Sequence, residues 1–184
     1  MTILVTFASR SGSTLGIAEA VGDVLRQQGI AVDVRPMSEV KDVTTYSAIV
    51  LGSAIRQEKW LPEAMQFIHK HQVDFEQKPV ATFLVCMALA TKDTTRYKSG
   101  LQSAREWMRP VRELVQPVSE GYFAGALNLG KIKELHFRII LSTLVILRLF
   151  PKGDHRDWKA INQWADELPA KLHHLSTEHP ALAG

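Results

Sequence analysis

Apolar, strand-like runs alternate with helical patterns along this chain, and that alternation limits its fold more than any other feature. Thr2–Ala8 is a short β-rich run suited to a strand buried on both faces. From Ser13 the pattern turns helical, with Leu15, Ala18, Val21, Gly22 and Leu25 three or four apart and Gly29 as the stop. Ile30–Val34 alternates as a second strand. Ser47–Leu51 reads as a third, ending in Gly52-Ser53, and Pro79–Met87 as a fourth. Helices are predicted at Glu63–His71, behind Pro62, and at Tyr97–Val111, bounded by Pro110. Val115–Phe123 gives a fifth strand, running into Ala124-Gly125-Ala126. Lys131–Phe150 is long and apolar enough for a helix. Asp157–Leu175 closes the pattern as an amphipathic helix, with Trp158, Ile161, Trp164, Ala165, Leu168 and Leu172 on one side.

Strands separated by helices argue for a doubly wound α/β fold, a five-stranded parallel sheet with helices on both faces. At 184 residues the chain reads as one domain over 1–175, with a loose tail at 176–184. Its single cysteine, Cys86, excludes an intrachain disulfide and a cysteine-based zinc cluster. It reads as a small buried hydrophobe. The histidines lack ligand partners at metal-binding spacing, so no metal site is expected. The N-terminus carries no basic n-region before its apolar run, which leads to the expectation of a cytoplasmic protein.

In open α/β sheets, ligands sit beyond the carboxyl ends of the strands. The first such loop is Ser9-Arg10-Ser11-Gly12-Ser13-Thr14, running directly into a helix. Its hydroxyls, and the backbone N–H groups at a helix N-terminus, suit an anion. The same residues also serve as ordinary helix caps. No GxxxxGK[ST] motif occurs, which disfavours an ATPase of that type.

This loop resembles the flavodoxin superfamily, whose pattern [S/T]-x-[S/T]-G-x-T is met by Ser9, Ser11, Gly12 and Thr14. The resemblance implies a flavodoxin-like fold and FMN, with the phosphate held at Ser9–Thr14. It places the flavin ring between two further loops. One is Gly52 with Ser53, Ala54, Ile55 and Arg56. The other is Val85, Cys86, Met87, Ala88, Leu89 and Ala90. Within the superfamily the chain is similar to the menaquinone-dependent protoporphyrinogen IX dehydrogenases. That likeness rests on GSAIR (Gly52–Arg56), AGAL (Ala124–Leu127), the basic-apolar segment that follows, and Asp157-Trp158. It implies a porphyrinogen donor, a membrane quinone acceptor and a place in haem biosynthesis. Flavin N5 would carry the chemistry, and no side chain is named as catalytic. Two other functions stay open: an NAD(P)H–quinone reductase of the same fold, and a non-enzymatic flavin-binding or electron-transfer module. Arg56 has two readings, as a cation for a substrate carboxylate or the reduced flavin, or as a surface ion pair.

Charge separates the chain from the acidic flavodoxin carriers. Its formal net charge is +3, from 22 Lys+Arg against 19 Asp+Glu. Lys131–Trp158 holds six of the basic residues and three of the acidic ones, so the remainder, with sixteen of each, is neutral. The excess therefore sits in an insert at about 125–156, before the last helix. Its apolar run Ile139–Phe150, broken by Arg148, is too short to span a bilayer. Lys131, Lys133, Arg138, Arg148 and Lys152 among so many apolar residues suit peripheral contact with an anionic membrane, on the inner face of the cell membrane. With Arg56 they are candidates for substrate contact. The same segment equally suits packing on the sheet or on a second copy in a homo-oligomer. Nucleic acid is disfavoured, because aromatic and basic residues do not interleave.

Overall fold

The computed structural model describes residues 1–127 and 153–173. Strand β1 (Thr2–Ala8) lies within the sheet, with β2 (Ala31–Pro36) on one side and β3 (Ala48–Arg56) on the other. Next come β5 (Val80–Cys86) and β6 (Ser119–Ala124), giving the parallel order β2-β1-β3-β5-β6. This is the doubly wound five-stranded sheet that the alternation implied. The chain moves outward from β1 to β2, then returns to the opposite side of β1 for β3. That reversal opens a crevice at the carboxyl ends of β1 and β3.

Each face of the sheet is covered by helices because its side chains alternate between two apolar cores. Ile3, Val5, Val50, Ala81 and Phe83 meet α1 (Ser13–Gln27) and α5 (Trp158–His173). Leu4, Ile49, Leu51, Leu84 and Cys86 share the other core with α2 (Pro62–Lys70), α3 (Gln72–Glu76) and α4 (Thr94–Val115).

Several elements differ from the sequence reading. Strand β3 runs on through Arg56 instead of ending at Leu51, because β4 (Lys59–Trp60) folds back on it, pairing Ile55 with Trp60 and Arg56 with Lys59. The turn residues Gln57 and Glu58 both take positive φ, 49° and 63°, as a two-residue hairpin of right-handed twist requires. Helix α4 passes through Pro110 and takes in Val115. The reason is burial: Val111 and Val115 continue the face made by Gly100, Ala104 and Met108. Asp93 starts the helix by accepting the Arg96 N–H at 2.8 Å. Trp158, expected in the core, is 40% exposed beneath the Arg156 guanidinium.

Past β6, strand β7 (Ala126–Leu127) pairs antiparallel with β8 (Gly153–Asp154). The two ends of the insert therefore leave the fold side by side. The expected helix Lys131–Phe150, with Lys131, Lys133, Arg138 and Arg148, lies outside the described residues. So do Lys152 and the tail beyond 175.

Candidate functional site

The loop after β1 forms because Ala8 ends an apolar strand and Gly12 turns the chain. Gly12 takes φ 84°, the left-handed region that costs glycine little. Its N–H donates to Ser9 Oγ at 3.1 Å, closing the turn. Helix α1 starts at Ser13, with no acidic residue in its first turn. Its N-terminal N–H groups and partial positive charge thus face the crevice without local competition. Thr14 is fully buried, and its hydroxyl has no hydrogen-bond partner among the described residues. Leaving such a group unpaired costs about 1–3 kcal/mol, so the cradle lacks an acceptor at this point. A phosphate bound there would supply one.

Arg10 projects from this loop toward α2, where it forms a forked pair with Glu63 at 3.1 and 3.2 Å. The loop after β3 is a strand end with a hairpin. Ser53 is fully buried there; its hydroxyl accepts the Leu61 N–H at 3.2 Å and donates to the Ala54 carbonyl at 2.9 Å. The Ser53 hydroxyl is thereby engaged in holding the hairpin. Ala54, Ile55 and Arg56 are half-buried along the rim.

Beyond β5, Val85 and Cys86 are buried inside the strand, Met87 and Ala88 are half-buried, and Leu89 and Ala90 turn back into the core. The Ala90 N–H donates to the Met87 carbonyl at 3.0 Å. Burial pushes the Cys86 thiol up to about 11, partly offset by the Leu89 and Ala88 N–H groups. Gly125, at the end of β6, sits where this loop meets the first. A Cβ there would lie 3.3 Å from Val85, 3.4 Å from Ser13 Oγ and 3.5 Å from the Met87 sulfur. The structure therefore brings Ser13, Val85 and Met87 together around Gly125, and ties Arg10 to α2 across the crevice.

Three side chains near this site were not singled out from sequence. Glu63 is one. Asp154 and Arg156 are the others: Arg156 Nε and Nη2 donate to the Asp154 carboxylate at 2.8 and 2.6 Å. The guanidinium lies 4.3 Å over the Trp158 ring and against Gly16 of α1. The Arg156 hydrogen bond outweighs burial, which acts the other way, and holds the Asp154 carboxyl below the usual range. The available signal was Asp-x-Arg-x-Trp, the spacing that puts alternate side chains of an extended segment on one side.

A loop of hydroxyls and helix N–H groups beyond β1, beside two rim loops at a topological switch point, defines a protein that binds a phosphorylated planar cofactor. The chain belongs to the flavodoxin domain family, whose model matches residues 4–145. It is 26% identical over 190 residues to "Protoporphyrinogen IX dehydrogenase [quinone]" of Escherichia coli (strain K12), covering 99% of each chain. Among solved structures it is similar to a flavodoxin from the domain Archaea, with 19% identity, TM-score 0.56, and coverage of 95% of this chain and 100% of that one. It is also similar to Megasphaera elsdenii flavodoxin, with 12% identity, TM-score 0.55, and coverage of 90% and 98%. The chain is thus an FMN-binding flavoprotein of the oxidoreductase class. The unpartnered Thr14 hydroxyl and the Gly12 turn fit the phosphate of that cofactor. Among the described residues no helix is long and apolar enough to cross a membrane.

Proposed function

We propose that this chain oxidises protoporphyrinogen IX and passes the electrons to a membrane quinone, in haem biosynthesis. The observation that supports this most is the likeness to the E. coli dehydrogenase, which runs over 99% of both chains. It thus includes the stretch between β7 and β8 as well as the flavodoxin core. FMN, when bound, supplies the hydride- and electron-accepting ring. In this reading Ser9, Ser11, Gly12, Ser13 and Thr14 hold the phosphate through hydroxyls and N–H groups. Ala54, Ile55 and Arg56 on one side, with Met87, Ala88, Leu89 and Ala90 on the other, bound the ring with aliphatic and backbone atoms. Ser53, Val85 and Cys86 support these rims from the buried strand ends.

Arg56 at the rim is the candidate cation for a porphyrin propionate. Lys131, Lys133, Arg138, Arg148 and Lys152 are the candidates for propionates or for anionic lipid at the inner face of the membrane. The pairing of β7 with β8 supports this, since it roots the insert at Gly125, beside Ser13 and Met87. Charge reversal with Arg138→Glu and Lys152→Glu is expected to weaken binding to anionic vesicles. Unchanged binding, or none in the parent, refutes the membrane contact.

The deciding experiment is anaerobic mixing of the flavin-loaded protein with protoporphyrinogen IX, followed by menaquinone. Flavin absorbance is expected to bleach with the porphyrinogen and return with the quinone. Bleaching by NADPH and not by the porphyrinogen would assign an NAD(P)H–quinone reductase instead. Bleaching by neither would leave a flavin-binding module without this activity.

A further inference from the structure

Arg10 belongs to the loop that meets the phosphate in the proposed site, yet its guanidinium is turned out of that loop. Its Nε lies 3.1 Å from one Glu63 carboxylate oxygen, and its Nη2 donates to the other at 3.2 Å. A two-point fork of this kind fixes direction as well as distance. Glu63 stands in the first turn of α2, directly after Pro62, where the helix dipole favours a carboxylate. Leu61, the residue before Pro62, is itself held by the buried Ser53 hydroxyl. The loop after β1 is thereby fastened across the switch point to the hairpin after β3.

The bond from the Gly12 N–H to Ser9 closes the loop on itself. It does not reach the neighbour across the crevice; the Arg10–Glu63 fork does. Amide donors must converge to about 2.7–3.2 Å from the phosphate oxygens to bind them. Small displacements of the loop are therefore felt in phosphate affinity.

We propose that Arg10 and Glu63 form a positioning pair that sets the preference for FMN over riboflavin. Arg10 acts through the placement of the loop, and Glu63 is its necessary partner. The inference rests on the assignment of residues 9–14 to the phosphate. Direct contact between Arg10 and the phosphate makes the opposite demand on Glu63, which would then compete with the ligand for the guanidinium. The sign of the Glu63 effect separates the two.

The test is the dissociation constant for FMN and for riboflavin, measured by flavin fluorescence on the whole chain stripped of flavin. The variants are Arg10→Ala, Glu63→Ala and the double variant. Both side chains of the pair are substantially exposed, at 55% and 38%, so a moderate effect is expected. Each single variant weakens FMN binding about three- to tenfold, tenfold being about 1.4 kcal/mol. The double variant loses no more than either single one, as expected for residues acting as a unit. Riboflavin binding is unchanged throughout, which also shows that the variants are folded. Should Glu63→Ala lose riboflavin as well, Glu63→Gln carries the same test. A Glu63 variant that retains riboflavin but binds FMN as well as the parent, or better, overturns the proposal. A parent that binds riboflavin as tightly as FMN overturns the phosphate assignment beneath it.

Discussion

The ring of Phe83 fills the space that a side chain at Gly52 would occupy. The two residues are register partners on β5 and β3, and a Cβ at position 52 would lie 2.1 Å from the ring. Phe83 has little room to yield, because Phe123 and Trp164 flank it with ring centroids at 6.1 and 6.0 Å. Gly52→Ala is therefore expected to destabilise the fold by about 1–3 kcal/mol through overpacking. A chain of this size loses about 2–4 °C in Tm per kcal/mol. Thermal unfolding checks this, and a variant with the parent's Tm would show that the strands can part.

The pH dependence of stability is expected to carry two signatures of one cluster. Arg112 Nε and Nη2 donate to Glu120 at 2.6 and 2.8 Å, and the Tyr122 hydroxyl donates to the same carboxylate. Burial raises the Glu120 carboxyl, but the bonds from Arg112 and Tyr122 outweigh it and hold it below its ordinary value. A carboxyl lowered in the folded state stabilises above its unfolded pKa, near 4.5, and loses that contribution as pH falls through the folded value. Tyr122 goes the other way. Burial, then its bond to Glu120, pushes it up to about 12. Its contribution is present below 10 and is lost as pH rises from 10 to about 12. Urea midpoints across pH measure both arms: Glu120→Gln should flatten the acid arm, and Tyr122→Phe the alkaline one. Phenolate absorbance should show Tyr122 ionising late, alongside Tyr46, which burial and its bond to Asp33 also raise.

Cys86 is expected to be inert in the native protein. With the thiol pushed up to about 11, only about one molecule in a thousand carries a thiolate at pH 8. Iodoacetamide should label it slowly under native conditions and rapidly in urea. Rapid native labelling would show the strand end opening.

The legible parts of this molecule were those whose physics is local. Six consecutive residues announced the turn and helix start after β1, and continuous apolar runs located β1 and β5. The tail of β3 was not legible, because its pairing depends on β4, and the turn uses Gln57-Glu58 where Asn-Gly would have announced a hairpin. Pro110 misled for a similar reason: packing of Val111 and Val115 overrides its local preference. Arg10 and Glu63 are 53 residues apart, and no periodicity links such a pair.

Arg156 makes a further non-local contact, against Gly16 in the first turn of α1. A Cβ on Gly16 would lie 2.5 Å from Nη1 of Arg156. The Arg156 side chain is only 17% exposed, its guanidinium held by Asp154 on one side and by the Trp158 ring on the other. Asp157 fixes the same segment by accepting the Ala160 N–H at 3.0 Å as α5 begins. Gly16→Ala should therefore drive Arg156 from its seat, while Arg156→Ala empties the seat and leaves Asp154 with only the N–H of residue 156, at 3.1 Å. Each is expected to cost about 1 kcal/mol or less, because Asp154 is 46% exposed and water takes up its carboxylate, with weaker FMN binding if the N–H groups of α1 hold the phosphate as proposed. If the contact is what matters, the double variant will be no worse than Arg156→Ala alone, since the added methyl then has nothing to strike. Additive losses in urea unfolding would show that Gly16 matters for another reason.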